Sequence, residues 1–430
     1  MSKRKLALFT PLPPTKSGIA DYVAEMMPSL ATHFDVLAVV ADCEDPVEHL
    51  CETMRISEWR TKSSKFRDYL RLYHQGNNPF HTHVLEEALR VPGVVLLHDF
   101  VLHHLIAHLT VGANDWKAYR RYLIHDYGIL GDKLTWPRRH PLFTETQQFM
   151  LPLNGVLLDS SLGIVVHSNW SAVRLRELRP NLPTRRIPLF WRPLTFANMP
   201  SNREAARQVL GIPIDAFLVI TLGFMTPPKQ LPLLISALGG IRKEIDNLQF
   251  TMVGEPHPDH PLEQIIKKNG LSEVTAITGY AGLEKFYTYI LASDLVVNLR
   301  YPSAGETSAA LTRALGMGRT AVIFDYGPFS DYPPGVAVKL PLDTQHSEAL
   351  GEAILDLYRH PEKRLQMERS AQTFIRREHD LSHCTAELAE FTNECHQHRS
   401  RPVPLRDTAR LDPSKRLNIE RCRDLVRTEH

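Results

Sequence analysis

Two doubly wound α/β domains are what this sequence predicts, and three observations predict them. Short apolar runs alternate with longer amphipathic stretches. The alternation breaks once near the middle and then restarts. The 430 residues also exceed what one core usually supports. Hydrophobic residues make up 43% of the chain, enough for two cores of ordinary size.

In the first half the strand-like runs are Leu6–Phe9, Val36–Val40, Val94–Leu97, Ile164–Val166 and Ile187–Phe190. Between the first two, Ile19, Tyr22, Val23, Met26 and Leu30 recur at helical spacing, and Pro28 is expected to kink that helix. Residues 103–150 are rich in Trp, Tyr, Arg and His, show helical patches without a strand, and read as an insertion walling a cleft. Turn signals at Arg192-Pro193 and Met199–Asn202 mark the break. Strands then recur at Phe217–Leu222, Phe250–Val253, Val274–Ile277, Leu295–Leu299, Ala321–Phe324 and Val336–Leu340, with helices over 231–245 and 346–359. The domains are therefore placed at 1–195 and 196–380, followed by a helix over Cys384–Cys395 and a polar, basic tail from Arg399 to His430.

Composition excludes several function classes. Fifty basic residues against 48 acidic ones give bulk nucleic-acid binding no support. No apolar run reaches membrane-spanning length and the N-terminal one is too short for a signal peptide, so a cytoplasmic protein is expected. The five cysteines are odd in number, lack paired metal spacing and read as cytosolic thiols. The histidines of His257–His260 and His396–His398 lack further ligands at suitable spacing, and no Asp-x-Asp follows a strand. No metal and no cofactor are expected. Asp42 and Glu44 follow the second strand as a ribose-binding acid would, but the first loop lacks Gly-x-Gly-x-x-Gly, which sets a dehydrogenase aside.

The segment from Leu295 to Gly318 carries the most information about chemistry. It reads as a buried strand, a loop of small and polar residues, and a helix. Gly305 lets the backbone turn, Thr307 or Ser308 caps the helix, and the free N–H groups of a helix start cradle phosphate. Arg300 supplies positive charge and Glu306 a carboxylate for sugar or ribose hydroxyls. Together they point to a phosphorylated, hydroxyl-rich ligand.

This order of residues resembles the donor-binding segment of the family 4 (group 1) glycosyltransferases. The resemblance implies the GT-B fold, two Rossmann-like domains facing across a cleft, with a C-terminal helix crossing back to the first. The family pattern carries two glutamates eight positions apart. Here Ala314 stands eight residues after Glu306, and alignment on Gly318 puts Gly305 and Arg313 at the two positions. In Thr221–Gln230, Gly223 and Lys229 match the family's phosphate loop, while Phe224 stands where an arginine is usual and Arg300 is the candidate replacement. Gly279 and Tyr280 match a position where the nucleotide base rests on backbone groups. Ser17, Gly18 and Asp21 resemble the family's first loop, which approaches donor phosphate and acceptor. His98-Asp99 ends a strand where a family histidine faces the transferred sugar, and His167-Ser168 resembles a strand–Ser–helix segment.

The resemblance implies a retaining, metal-independent hexosyltransferase in which His98, Lys229 and Glu306 are the catalytic candidates and Ser17, Asp21 and Asp99 lie on the acceptor side. Its expected partners are a nucleotide sugar, UDP- or GDP-hexose, and a glycan or lipid-linked acceptor of the envelope or exopolysaccharide type, a setting compatible with peripheral membrane contact. Two alternatives stay open: a GT-B sugar-nucleotide epimerase, and a catalytically weak nucleotide-sugar-binding partner subunit.

Overall fold

The computed structural model describes residues 3–44, 51–140, 142–193, 196, 199–258, 261–342 and 347–398. The polar tail from Arg399 to His430 and the predicted His260 position lie outside the described residues. The chain forms two compact units. Unit 1 comprises Met1–Pro188, Ala304–Thr307 and the chain from Leu381 on; unit 2 comprises Leu189–Ser303 and Ser308–Asp380. The division thus falls at Pro188, a few residues before the predicted break.

Unit 1 is built on a seven-stranded, wholly parallel sheet of order β3-β2-β1-β4-β5-β6-β7. The strands are β1 (Arg4–Phe9), β2 (Phe34–Val40), β3 (Glu52–Arg55), β4 (Leu70–Gln75), β5 (Val94–Leu97), β6 (Gly163–Val166) and β7 (Thr184–Arg186). Crossover helices α1 (Gly18–His33), α2 (Ile56–Thr61) and α3 (Thr82–Arg90) separate the first five strands. The stretch predicted as an insertion between β5 and β6 folds into α4 (His103–Thr110), α5 (Trp116–Tyr127), α6 (Ile129–Arg139) and α7 (Glu145–Met150), followed by α8 (Gly155–Asp159). Helix α9 (Asn169–Leu178) then returns the chain to β7.

The strand reading of this half needs one correction and one addition. The strand expected at Ile187–Phe190 lies at Thr184–Arg186 instead, because register with β6 pairs Ile164 to Thr184. Pro28 sits inside α1 without ending it. Strand β4 had no apolar signature, since Arg71, His74 and Gln75 occupy it, yet every one of its residues is buried. Arg71 donates to the Tyr69 and Phe66 carbonyls and the Gln75 amide nitrogen to Gly76 O, while Gln75 Oε1 and His74 Nε2 are buried without a hydrogen-bond partner.

Unit 2 repeats the design on a six-stranded parallel sheet of order β10-β9-β8-β11-β12-β13. Helix α10 (Arg203–Leu210) precedes β8 (Phe217–Leu222), followed by α11 (Leu231–Ile241), β9 (Leu248–Val253), α12 (Leu262–Lys268), β10 (Thr275–Ile277) and α13 (Leu283–Ala292). Then come β11 (Leu295–Val297), α14 (Ala309–Gly316), β12 (Thr320–Phe324), β13 (Val338–Leu340), α15 (Ser347–Arg359) and α16 (Pro361–Glu378). Strands β8, β11 and β12 are buried along their whole length, as a parallel sheet covered on both faces requires. The last helix, α17 (Leu381–His398), packs on α1, β4, β5 and β6 within unit 1. His396 on this helix accepts a hydrogen bond from the Arg71 N–H at 3.0 Å, which gives the histidine a structural task.

The small residues of Gly316-Met-Gly318 have separate jobs. Gly318 turns the chain at φ +70° after α14. Gly316, the last residue of the helix, lies against the Trp191 indole, where a Cβ would collide with the ring. Gly240, exposed in α11, faces open space. Chemical denaturation should therefore find Gly316→Ala destabilising by about 1–3 kcal/mol, and Gly240→Ala stabilising by about 0.4–1 kcal/mol. Equal effects from the two would refute this packing at Trp191.

Candidate functional site

Where a doubly wound sheet reverses direction, the carboxyl ends of the two central strands diverge and leave a crevice for ligands. In unit 2 the reversal lies between β8 and β11. The loop after β8 begins with Gly223, held at φ +82°, a conformation that side chains resist. A single 3-10 turn, Pro227–Lys229, then brings Lys229 back under the strand end. Its ammonium is buried and donates to the Leu222 carbonyl, and a Cβ at Gly223 would stand in tight contact with it, 3.1 Å from Nζ.

The loop after β11 is stitched to this turn. Tyr301 N–H donates to Pro228 O at 2.8 Å, and the Gln230 side-chain amide donates to Tyr301 O at 2.6 Å. Arg300 is thereby set beside Lys229. Burial holds the Lys229 ammonium well below its ordinary pKa, and the Arg300 cation pushes in the same direction. Lys229 has no carboxylate partner among the described residues. Ser308, not Thr307, caps α14: its hydroxyl accepts from Leu311 N–H at 3.2 Å and donates to Asn298 Oδ1 at 3.2 Å. Arg313, one of the positions aligned with a family glutamate, instead donates to the Tyr287 hydroxyl. Gly279 pairs with Gly254 in a short antiparallel bridge beside this end of the sheet, and Tyr280 after it is 62% exposed. Phe224 is exposed as well.

The remaining predicted residues belong to unit 1. Ala304 O accepts from Val101 N–H at 2.8 Å, and Gly305 follows at φ +76°. A Cβ there would strike Phe100 and stand 2.9 Å from the Trp170 ring, so both backbone angle and space demand glycine. Thr307 and Glu306 are half-buried. The Glu306 carboxylate acts on His104, whose pKa burial lowers and Glu306 opposes. Sequence reasoning missed His104 and its partner Asn77. Asn77 N–H donates to Asp99 Oδ2 at 2.7 Å, while its side-chain oxygen accepts from Leu105 N–H at 3.1 Å. That fixes the Asn77 amide nitrogen as donor to His104 Nδ1 at 2.8 Å, leaving the proton of a neutral His104 ring on Nε2. No local pattern signalled them, because β4, which ends just before Gly76 and Asn77, lacks an apolar signature.

Ser17 caps α1, accepting from Ile19 N–H at 3.3 Å, and Asp21 lies half-buried in the first turn. Gly18 opens this helix with free space around its Cα. Asp42 accepts from Ser57 N–H at 3.0 Å, and buried Glu44 accepts from Leu12 N–H at 3.4 Å with its carboxyl pushed up to about 7 by burial. Both anchor loops.

His98 is the centre of a row of three histidines at neighbouring strand ends. His167 Nδ1 lies 2.9 Å from Ile187 O and must donate to it. A neutral His167 ring therefore accepts at Nε2, from His98 Nδ1 at 3.2 Å. His98 in turn accepts at Nε2 from His74 Nδ1 at 3.1 Å. His74 Nε2 ends the row as a buried atom without a hydrogen-bond partner. Tyr22 packs edge-on to His98 with ring centres 5.2 Å apart. Burial, reinforced by the adjacent rings, pushes His74 down to about 3 and His98 well below its usual value, so both are neutral. His98 was expected to face a sugar; both its ring nitrogens are engaged here, so bonding a hydroxyl requires giving one up.

Two doubly wound units, with a cation-bearing loop at the second switch point, define the GT-B class. Residues 202–374 match the family described as Glycosyl transferases group 1, so unit 2 carries a glycosyltransferase domain and the chain is a glycosyltransferase. Among solved structures it is similar to a sucrose-phosphate synthase from Thermosynechococcus elongatus, at 15% identity and TM-score 0.66, covering 92% of this chain and 100% of that one. It is also similar to Anabaena HepE in complex with UDP, at 16% identity and TM-score 0.64, over 91% of this chain and 100% of that one. A third is WaaG, a glycosyltransferase involved in lipopolysaccharide biosynthesis, at 13% identity and TM-score 0.61, over 91% and 99%. No curated protein matches the sequence.

The neutral histidines carry a pH signature. An unfolded histidine takes a proton below about 6.5, whereas His74 and His98 refuse it in the fold. Their contribution is complete above that pH and is lost as pH falls, by about 1.4 kcal/mol per pH unit for each ring. Urea unfolding between pH 6.5 and 4.5 should show a shallower slope for His98→Gln than for the parent, by about one proton. Coincident slopes would remove His98 from the neutral set.

Proposed function

We propose that this glycosyltransferase moves a hexose from a nucleotide-diphosphate sugar to a glycan or lipid-linked acceptor in the cytoplasm, as a step of polysaccharide or envelope assembly, with retention of configuration and without a metal ion. The observation that carries the reading is Lys229. It is a buried ammonium with one carbonyl acceptor, beside Arg300, at the switch point of unit 2. A diphosphate is the ligand such a pair stabilises most, because it restores the lysine's charge and gains charge-assisted bonds. The similarly folded HepE binds UDP and UDP-glucose, which puts a UDP-hexose first among the donors to try.

Catalysis on this reading is electrostatic. As the glycosidic bond to the donor phosphate lengthens, negative charge grows on the leaving diphosphate, and Lys229, Arg300 and the Ser308-capped start of α14 lie in unit 2 to meet it. The leaving phosphate takes the acceptor proton on the same face of the sugar, so no protein nucleophile is required. Gly279 and Tyr280 offer backbone and ring to the base.

The deciding experiment pairs thermal shift with UDP, GDP, ADP and dTDP against donor turnover in excess EDTA. One nucleotide diphosphate should raise the melting temperature. Lys229→Ala should cut turnover by about a hundredfold, and Arg300→Ala should weaken nucleotide diphosphate more than nucleoside. Unchanged turnover in Lys229→Ala rejects the phosphate site, and activity that only Mn²⁺ or Mg²⁺ restores rejects the metal-free mechanism.

Glu306 is proposed to accept hydrogen bonds from donor hydroxyls, with His104 beside it in unit 1. Glu306→Ala should lower affinity for the intact donor roughly ten- to a hundredfold, the worth of a hydrogen bond to a charged group. If free nucleotide binds normally the contact is to the transferred sugar; if it weakens equally the contact is to ribose. Normal binding and turnover would reduce Glu306 to a charge at a helix start.

A further inference from the structure

Helix α5 (Trp116–Tyr127) ends in a row of charges that leads out of the insertion to α8 and α9. The His125 ring has a carboxylate at each nitrogen: Nδ1 lies 2.9 Å from Asp126 Oδ1, and Nε2 lies 3.1 Å from Asp159 Oδ2. Each acid is tied further on. Asp126 Oδ2 accepts from the N–H of Gly155, the first residue of α8, at 3.3 Å. The approach is so close that a Cβ at Gly155 would strike the Asp126 carboxylate. Asp159, at the other end of α8, takes the forked guanidinium of Arg179, which follows α9. One row, Gly155–Asp126–His125–Asp159–Arg179, thus pins the end of α5 to both ends of α8 and on to α9.

The geometry fixes the proton count. An ionised carboxylate only accepts hydrogen bonds, so a ring set between two of them must donate at both nitrogens, and only the imidazolium does so. Two cations, His125 and Arg179, then balance two acids. Burial opposes charge on His125, but the bonds to Asp126 and Asp159 outweigh it and push the ring up to about 9. Burial likewise opposes ionisation of Asp159, yet the bonds from His125 and Arg179 hold its carboxyl below the ordinary value. The ring's place in the last turn of α5 favours the cation as well. The other groups near this helix are engaged elsewhere. His103 of α4 bonds Tyr119 and the Leu151 carbonyl. On α6, Asp132 pairs with Arg120, Arg138 and Arg139 lie over the Phe143 and Trp116 rings, and Lys133 is exposed. Tyr127, also on α5, is kept neutral by burial and by Asp126.

We propose that His125 is a standing imidazolium and that this row is an alkali-sensitive latch holding the α4–α7 insertion to the rest of unit 1. Loss of its proton leaves one carboxylate facing a ring lone pair and frees the end of α5. Helix α4, which carries His104, packs on α5 and is held through it. An open latch leaves His125 to titrate near 6.5. The latch is therefore complete below that pH and is lost as pH rises through about 9. It is independent of the transfer reaction proposed above and is read without it.

Amide hydrogen exchange on the full chain is the test. With the intrinsic base-catalysed rate divided out, protection over residues 116–139 should fall about a hundredfold between pH 7 and pH 10, while the strands of unit 2 keep theirs. His125→Gln should exchange at pH 7 as the parent does at pH 10 and show no further fall. Asp159→Asn keeps the ring but removes one acceptor charge, so its fall should come at least about one pH unit lower. A parent whose protection holds to pH 10 overturns the proposal, as does a fall shared equally by unit 2. A His125→Gln chain that falls as far as the parent overturns it too, and so does an Asp159→Asn chain that falls at the parent's pH.

Discussion

A parallel strand that is hydrogen-bonded on both edges and covered on both faces meets ligands only where it ends. Both units are built under that constraint. Gly223 and Lys229 follow β8, Arg300 follows β11, Asn77 follows β4, and His98 and His167 follow β5 and β6. The apolar interior of each sheet supplies rigidity, and the carboxyl ends supply function. The same rule explains why the two loops at the unit 2 switch point meet at all. Strands β8 and β11 are adjacent in the sheet although they are distant in sequence, so their loops emerge side by side and bond through Tyr301, Pro228 and Gln230.

Burying Lys229 is costly, because an ammonium taken out of water loses its hydration and gains here only a carbonyl. Stability alone would favour a neutral residue. The cost is tolerable where the charge serves a transition state: a preorganised cation needs no reorientation when negative charge develops. Rigid framing follows from the same need. Gly223 packs against the ammonium, and the neighbouring loop fixes the turn that carries it.

The sequence made the sheet architecture legible wherever strands were apolar, as in Leu6–Phe9 and Phe217–Leu222, because a doubly covered strand has no polar face to disguise it. Strand β4 escaped notice for the converse reason: its Arg71, His74 and Gln75 are all buried, and the bonds of Arg71 N–H to His396 and of His74 to His98 are tertiary ones that no local pattern reports. Gly223 and Lys229 were readable because one short segment holds the strand, the turn and the helix. Asn77 and His104 were not, since their meeting depends on residues some 27 positions apart being folded together.

In the His74–His98–His167 row every neutral ring carries its proton on the same nitrogen, so the rings form dipoles aligned head to tail. Reversing one ring sets donor against donor on one side and lone pair against lone pair on the other. The three therefore switch tautomer together or not at all, and the Ile187 carbonyl decides which of the two states holds. The row behaves as a single polarised object embedded in unit 1, and its sense is written by one backbone oxygen rather than by any of the histidines.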